Sequence, residues 1–382
     1  MTRDSAAAST PADVPEEVDE SSTDPSTYAD RVLGCLLGTM AGDAYGVLHA
    51  VGDDPSAALG DPAALAVSDA TQLTLYTVDG LVDALEWAND GVAADETACL
   101  WLAYLRWLVR QGEHLPANAP APPGRWLDRQ DDLLPVHDPD ADTVRALLTG
   151  AMGTRSRPLN PQAEGAGALM RSAPFGLVPR IPASMVERLT VDAAALTHGS
   201  PAARGTAALF SGLIRSLAID ELTLDEAVRI MRGEEDRLAH TSGHDDGTSG
   251  VTTGATAPTA SGGPAARVAP GAMAGTTADA TTTGSRADAT TAAGTFEAAL
   301  QAVLEGASES SSPQDHLAAA LAHASSAGRP DASSTVAASV AGAIVGALHG
   351  TRAIPASYRN AEGMPAVVRG MARTLVRATT GS

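Results

Sequence analysis

A chain of 382 residues, 44% hydrophobic and 19% charged, is long enough for one large or two modest domains with a real core. Its 46 acids against 25 basic residues, all of them Arg, leave a formal charge of −21, which argues against sequence-independent nucleic-acid binding and against docking on anionic lipid, since both need a basic surface. With only 3 Phe, 4 Trp and 5 Tyr the core has to be aliphatic and rich in Ala, which favours closely packed helices over a β-sandwich.

Residues 1–30 hold eight acids against a single Arg, with Pro, Ser and Thr between them and no periodic apolar face, and read as a disordered acidic tail. They lack the basic start and continuous apolar run of a secretory signal, so a cytoplasmic protein is expected. The stretch RVLGCLLGTMAGDAYGVLHA (31–50) predicts an apolar helix ending in Gly42-Asp43-Ala44. In SDATQLTLYTVDGL (68–81), Ser68 or Asp69 can cap a helix whose apolar residues Leu75, Val78, Val82 and Leu85 recur at helical spacing. Leu102, Leu105 and Leu108 continue that pattern in a second amphipathic helix. Cys35 and Cys99 lie in apolar helical stretches and read as two buried thiols in a reducing compartment.

Further along come two motif-like segments, EGAGALMRSAPFGL (164–177) and AALTHGSPAARG (194–205). Residues 241–295, almost entirely Thr, Ala, Gly and Ser, contain no Leu, Ile, Phe, Tyr or Trp and read as a low-complexity disordered insertion. The segment PDASSTVAASVAGAIVGALHG (330–350) opens in a hydroxyl-rich turn and runs into a helix. There Val336, Val340, Ile344 and Leu348 alternate with Ala337, Ala341, Gly342 and Gly346, a small-residue face that allows close helix contact. Period-2 alternation is nowhere sustained, and the class expected is all-α: a single large helical domain over 31–382, interrupted by the insertion. Phosphate-loop, paired C-x-x-C, H-E-x-x-H and G-x-S-x-G patterns are absent.

The five stretches, in this order and spacing, resemble the ADP-ribosylglycohydrolase family, which includes the dinitrogenase reductase-activating glycohydrolase. The resemblance implies a helical fold and a cleft in which two divalent cations, usually Mg²⁺, bridge carboxylates of the second and last motifs and orient the ribose of an ADP-ribosyl group. The family's motifs align with Ser68 and Asp69 in the second segment and with Asp331, Ser333 and Thr335 in the last, which makes these five the candidate metal-binding positions. Asp43, Gly165, Gly167, Met170, Arg171 and His198 are the candidate ligand-binding residues. The glycines could cradle a diphosphate with exposed amides or merely permit close packing, and His198 could face the nucleotide or sit in the core.

Departures from the family pattern fall on its acids. Asp69 is followed by Ala70 where a second acid is expected, Ser333 and Thr335 stand where two Asp belong, a shifted alignment restores only Asp331, and the expected catalytic Glu falls on Ala50. Neutral hydroxyls give Mg²⁺ little reason to shed its water, so a family-type Mg centre is not expected and no catalytic residue is assigned. Asp43 reads more simply as a holder of helix-terminal amides, and Asp79 as part of a solvated helix face or cleft edge. The function expected is that of a family member with lost or strongly reduced hydrolase activity that binds ADP-ribose, a related nucleotide or a protein partner. The alternatives are an active hydrolase with a rearranged Mg site and a non-catalytic scaffold built on the tail or insertion.

Overall fold

The helix predicted at 31–50 carries Gly34, Gly38, Gly42 and Gly46, four glycines at intervals of four on one stripe, and the helix predicted near the C-terminus carries the complementary series Ala338, Gly342 and Gly346. In the computed structural model, which describes residues 28–60, 66–136, 138–242, 290–326 and 332–381, these two stripes lie against each other. The described residues form fourteen α-helices and no strand beyond one isolated bridge between Thr154 and Arg157. In chain order they are α1 (Tyr28–Val51), α2 (Ala57–Gly60), α3 (Asp69–Asn89), α4 (Glu96–Arg110), α5 (Ala141–Leu147), α6 (Ala173–Gly176) and α7 (Ala183–Ala194). There follow α8 (Pro201–Ala218), α9 (Leu224–Ser242), α10 (Ala292–Glu309), α11 (Pro313–Ser326), α12 (Ala332–His349), α13 (Ala356–Asn360) and α14 (Met364–Thr380). The all-α class expected from periodicity is the class observed.

Helices α1 and α12 run antiparallel at backbone contact. A Cβ added at Gly38 would overlap the carbonyl oxygen of Gly342, one at Gly42 that of Ala338, and one at Gly346 that of Gly34. Hydrogen bonds add to the contact: Arg31 donates to the Leu348 carbonyl at 3.3 Å near one end and ties in α8 through the Leu217 carbonyl at 2.6 Å, and Ser339 donates to the Thr39 carbonyl at 3.2 Å near the middle. Helices α10 and α11 cover the outer side of α12, α3 and α14 pack against α1, and the α7–α8 hairpin closes the remaining flank. By length and hydropathy Ala332–Arg352 could cross a membrane, but 78% of that window is buried inside the fold, as a core helix requires. Both cysteines are free and buried.

Side-chain oxygens start the helices where turn chemistry predicts. Ser68, Asp95, Asp140 and Thr291 each accept a hydrogen bond from an amide in the first turn of α3, α4, α5 and α10 respectively.

Three expectations need correction. The segment read as a tail to residue 30 ends earlier, because α1 begins at Tyr28: its hydroxyl donates to Leu177 O at 2.9 Å, and Asp30 is buried, accepting from the Thr351 amide and hydroxyl. The insertion read as 241–295 is likewise shorter. Helix α9 reaches Ser242, and α10 begins at Ala292 because Ala292, Thr295 and Phe296 are buried there; residues 1–27 and 243–289 lie outside the described set. Asp79 is not on a solvated face. It is buried in an ion pair with Arg106 of α4 and a second with Arg125 at 3.0 Å, and Arg125 also spans Asp83 and Glu86 one and two turns further along α3.

The α1–α12 contact makes a sharp contrast between glycines. Gly38→Ala gains up to about 1 kcal/mol of helix propensity but forces the backbones apart, and should cost a net of about 2 kcal/mol or more. Gly205→Ala in α8, where a Cβ meets nothing within 4 Å, should instead stabilise by up to about 1 kcal/mol. Urea denaturation of the two variants checks the opposite signs.

Candidate functional site

The C-terminal half of α1 carries Asp43, fully buried, to the start of α3. Its Oδ2 accepts from the amides of Ser68 and Thr71 at 2.9 and 3.1 Å and from the Thr71 hydroxyl at 2.5 Å, while Oδ1 accepts from the Ser68 hydroxyl at 2.6 Å. One turn along α1, Gly46 lies against Thr335, whose Cα sits 2.6 Å from where a Cβ would be. The first, second and last motifs therefore meet at one end of the α1–α12 pair. Burial pushes the Asp43 carboxyl up, against the pull of its four donors.

Asp69, next in line, is 8% exposed, and its Oδ2 accepts the Asp140 amide at 2.7 Å. Burial, with added repulsion from Asp140 and Asp43, pushes its carboxyl up to about 7. Asp140 in turn caps α5 by accepting from Thr143 N at 2.7 Å. Asp140 was not among the residues singled out by sequence, although the run Asp138-Pro139-Asp140 ahead of a helical segment is a turn-plus-cap signal.

A second chain of contacts approaches from the Gly-rich segment. Arg171 is buried over the Tyr104 ring and donates to Gly167 O at 2.7 Å, Thr143 Oγ1 at 3.3 Å and Thr197 Oγ1 at 2.5 Å. Thr197 Oγ1, which accepts from Arg171, also lies within hydrogen-bond distance of His198 Nδ1, 2.9 Å away, and holds the imidazole in place. The His198 Nε2 is buried with no hydrogen-bond partner among the described residues; Asp140 Oδ2 stands 3.5 Å from it, and Gly165 and Gly167 flank the ring. Burial, reinforced by Arg171 and Arg145, lowers His198 to about 4, so the imidazole is neutral.

The candidate residues thus separate by role. Gly165, Gly167 and His198 lie together against Asp140, whose amide donates to Asp69. Met170 is buried in the core, and Arg171, also buried, gives its hydrogen bonds to the protein's own oxygens and stacks on Tyr104. Asp43 has its acceptor positions taken by α3. Ser333 is half-buried and Thr335 buried in the first turn of α12, Asp331 lies outside the described residues, and Ala50 is exposed at the end of α1. Among the described residues no three His, Cys, Asp or Glu side chains are placed to hold a metal ion. The donor chemistry agrees. N–H and O–H groups already point at the Asp43 oxygens and at Asp69 Oδ2, and Ala70 is packed in the apolar core, so these residues do not fit a pair of Mg²⁺ ions.

Two stability measurements follow. Asp43→Asn turns an NH₂ toward buried donors and should cost about 3 kcal/mol in urea denaturation. Asp69 binds its proton more tightly folded (about 7) than unfolded (3.8), so the stability it contributes is greatest near pH 4, falls as pH rises to 7, and is flat above. Asp69→Asn keeps an acceptor for the Asp140 amide without the charge. Its thermal midpoint relative to the parent should therefore rise between pH 4 and pH 8; a difference independent of pH would contradict the raised carboxyl.

Residues 24–382 match the sequence model of the ADP-ribosylglycohydrolase family. A solved structure described as an "ADP-ribosylglycohydrolase-related protein complex" superposes with a TM-score of 0.52 at 18% identity, covering 92% of this chain and 99% of that one, a likeness that speaks to fold alone. No curated protein sequence matches. With nearly the whole chain matched and the motif segments gathered at one end of the α1–α12 pair, the chain belongs to the ADP-ribosylglycohydrolase family.

Proposed function

We propose that this chain is a cytoplasmic ADP-ribosylglycohydrolase-fold protein that binds ADP-ribose or a related nucleotide and has lost, or strongly reduced, metal-dependent hydrolysis. The observation that carries this reading is the buried Nε2 of His198, a neutral imidazole nitrogen with no hydrogen bond among the described residues, flanked by two glycines and by Asp140, next to acids that already accept from the chain's own groups. A buried ring nitrogen without a hydrogen bond is a place for a polar ligand atom. The positions where the family pattern has a second acid and a catalytic Glu hold Ala70, buried in the core, and Ala50, exposed at the end of α1. Ligand recognition and bond cleavage depend on different residues here, and the substitutions fall on the second set.

A second reading has one observation in its favour. A carboxyl pushed up to about 7, as Asp69 is, has the proton affinity of a general acid or base, so slow metal-independent glycosidic cleavage would run through it.

Calorimetry with ADP-ribose, with and without Mg²⁺, together with a release assay on ADP-ribosyl-arginine, separates these. The expected result is saturable binding that Mg²⁺ does not alter, weakened at least ten-fold by Gly165→Val, and no release. Mg²⁺-dependent turnover abolished by Asp69→Ala would overturn the binding-only reading; Mg²⁺-independent release lost in the same variant would support the second.

A further inference from the structure

The α7–α8 hairpin has two ends. One delivers Thr197 and His198 to the cleft. The other, roughly 20 Å along α8, faces α9 and holds a separate cavity of about 440 Å³, within the range of small-molecule sites. Its walls are mostly apolar, with Leu213, Leu222 and Met231 among them, and the half-exposed Ile230 stands at its rim.

Two features of this cavity have no explanation in the fold itself. The first is Gly212. Glycines inside a helix weaken it, and those of α1 and α12 are there because backbones touch; at Gly212, in the interior of α8, a Cβ would meet nothing within 4 Å. Gly205 and Gly233 are also uncontacted, but Gly212 alone of the three lines the cavity, and the side chain it lacks is part of the space. The second is Arg215, one turn further along the same wall. Its side chain is 14% exposed, its Nε faces Asp220 at 3.6 Å, and its Nη1 is buried with no hydrogen-bond partner among the described residues. A guanidinium nitrogen left without an acceptor among apolar groups is costly, and an oxygen anion in the cavity would relieve it.

The rest of the rim limits what that anion can be. Arg237 is committed to Glu187 at 3.2 Å and Glu234 at 2.5 Å, which leaves Arg215 as the cation with an open donor. Glu187, Glu234 and Asp220 outnumber the two Arg of the lining, so an anion is held only by direct contact with Arg215 and a second negative charge is disfavoured. A polar head of one negative charge beside Arg215, with an apolar body over Gly212, meets all of these constraints.

We propose that the cavity between α7, α8 and α9 binds an amphipathic monoanion, a small carboxylate with an aliphatic or aryl body, at a site separate from the family's cleft. Arg215 pairs the carboxylate, and the floor opened by Gly212 accommodates the body.

The full chain is titrated with octanoate and with octan-1-ol as the uncharged probe, by calorimetry and by thermal unfolding. The parent is expected to bind octanoate saturably at one site, to show a raised unfolding midpoint, and to prefer octanoate over octanol at least ten-fold. Arg215→Met, which keeps the alkyl stem, should erase that preference while leaving octanol binding unchanged. Gly212→Leu should remove binding of both without lowering helical content. Gly165→Val in the cleft should leave octanoate binding intact. Absence of saturable octanoate binding by the parent, an undiminished carboxylate preference in Arg215→Met, or full binding by a folded Gly212→Leu would each overturn the proposal. Should Gly212→Leu fail to fold, the parent's octanoate-to-octanol ratio and the Arg215→Met variant decide it on their own.

Discussion

Everything else in this molecule is hung on the backbone contact between α1 and α12. Glycine in a helix interior costs up to about 1 kcal/mol against alanine, and α1 carries four of them in its stripe with two more facing from α12. That cost is offset because carbonyls of one helix lie where a Cβ of the other would be, so the two helices approach at a distance no larger side chain permits, and many weak dispersion contacts accumulate along the stripe. The register that results is strict. It sets Gly46 against Thr335 and Gly34 against Gly350, so a slip along the stripe would drive Ala338 or Thr335 into a backbone. The last motif reaches the first two only because this register holds.

The buried charges obey a second rule, that each must be given donors or a counter-ion. Asp30 takes the Thr351 amide and hydroxyl, Asp79 takes two guanidinium groups, and Arg171 takes three oxygens and a ring face. Within the cleft the same rule has a chemical consequence. Carboxylate lone pairs that a cation would use at Asp43 and Asp69 receive N–H and O–H groups of the protein instead. The contacts that let these acids be buried are therefore contacts a cation would have to displace.

The sequence made some of this legible and not the rest, for physical reasons. Helical class, the Ser68 cap and the small-residue face of the last helix follow from local spacing, which a linear reading sees directly. Asp79 was misplaced because its partners come from 27 and 46 residues away on another helix and its following connection, and charge alone looks like a solvated face. The ends of the two low-complexity segments were set by composition, which cannot distinguish Ala292 and Thr295 at the start of a buried helix from the Ala and Thr before them; only Phe296 carries the anchoring signal. That Gly165, Gly167 and His198 are neighbours follows from the family resemblance and not from local spacing. Asp140 was missed because its role depends on a loop folding back over Asp69.

Burial also acts on the two titratable ends of the cleft in opposite directions with the same result. It raises Asp69 to about 7 and lowers His198 to about 4, and in each case the form favoured is the uncharged one. A cleft that concentrates cations needs several ionised acids repelling one another until metal arrives. This one tends toward neutrality near pH 7, with a neutral imidazole at one side and a carboxyl at its midpoint on the other. Despite a chain charge of −21, burial raises both Asp43 and Asp69 in the region that resembles the family's metal site, so negative charge there is held down and not concentrated.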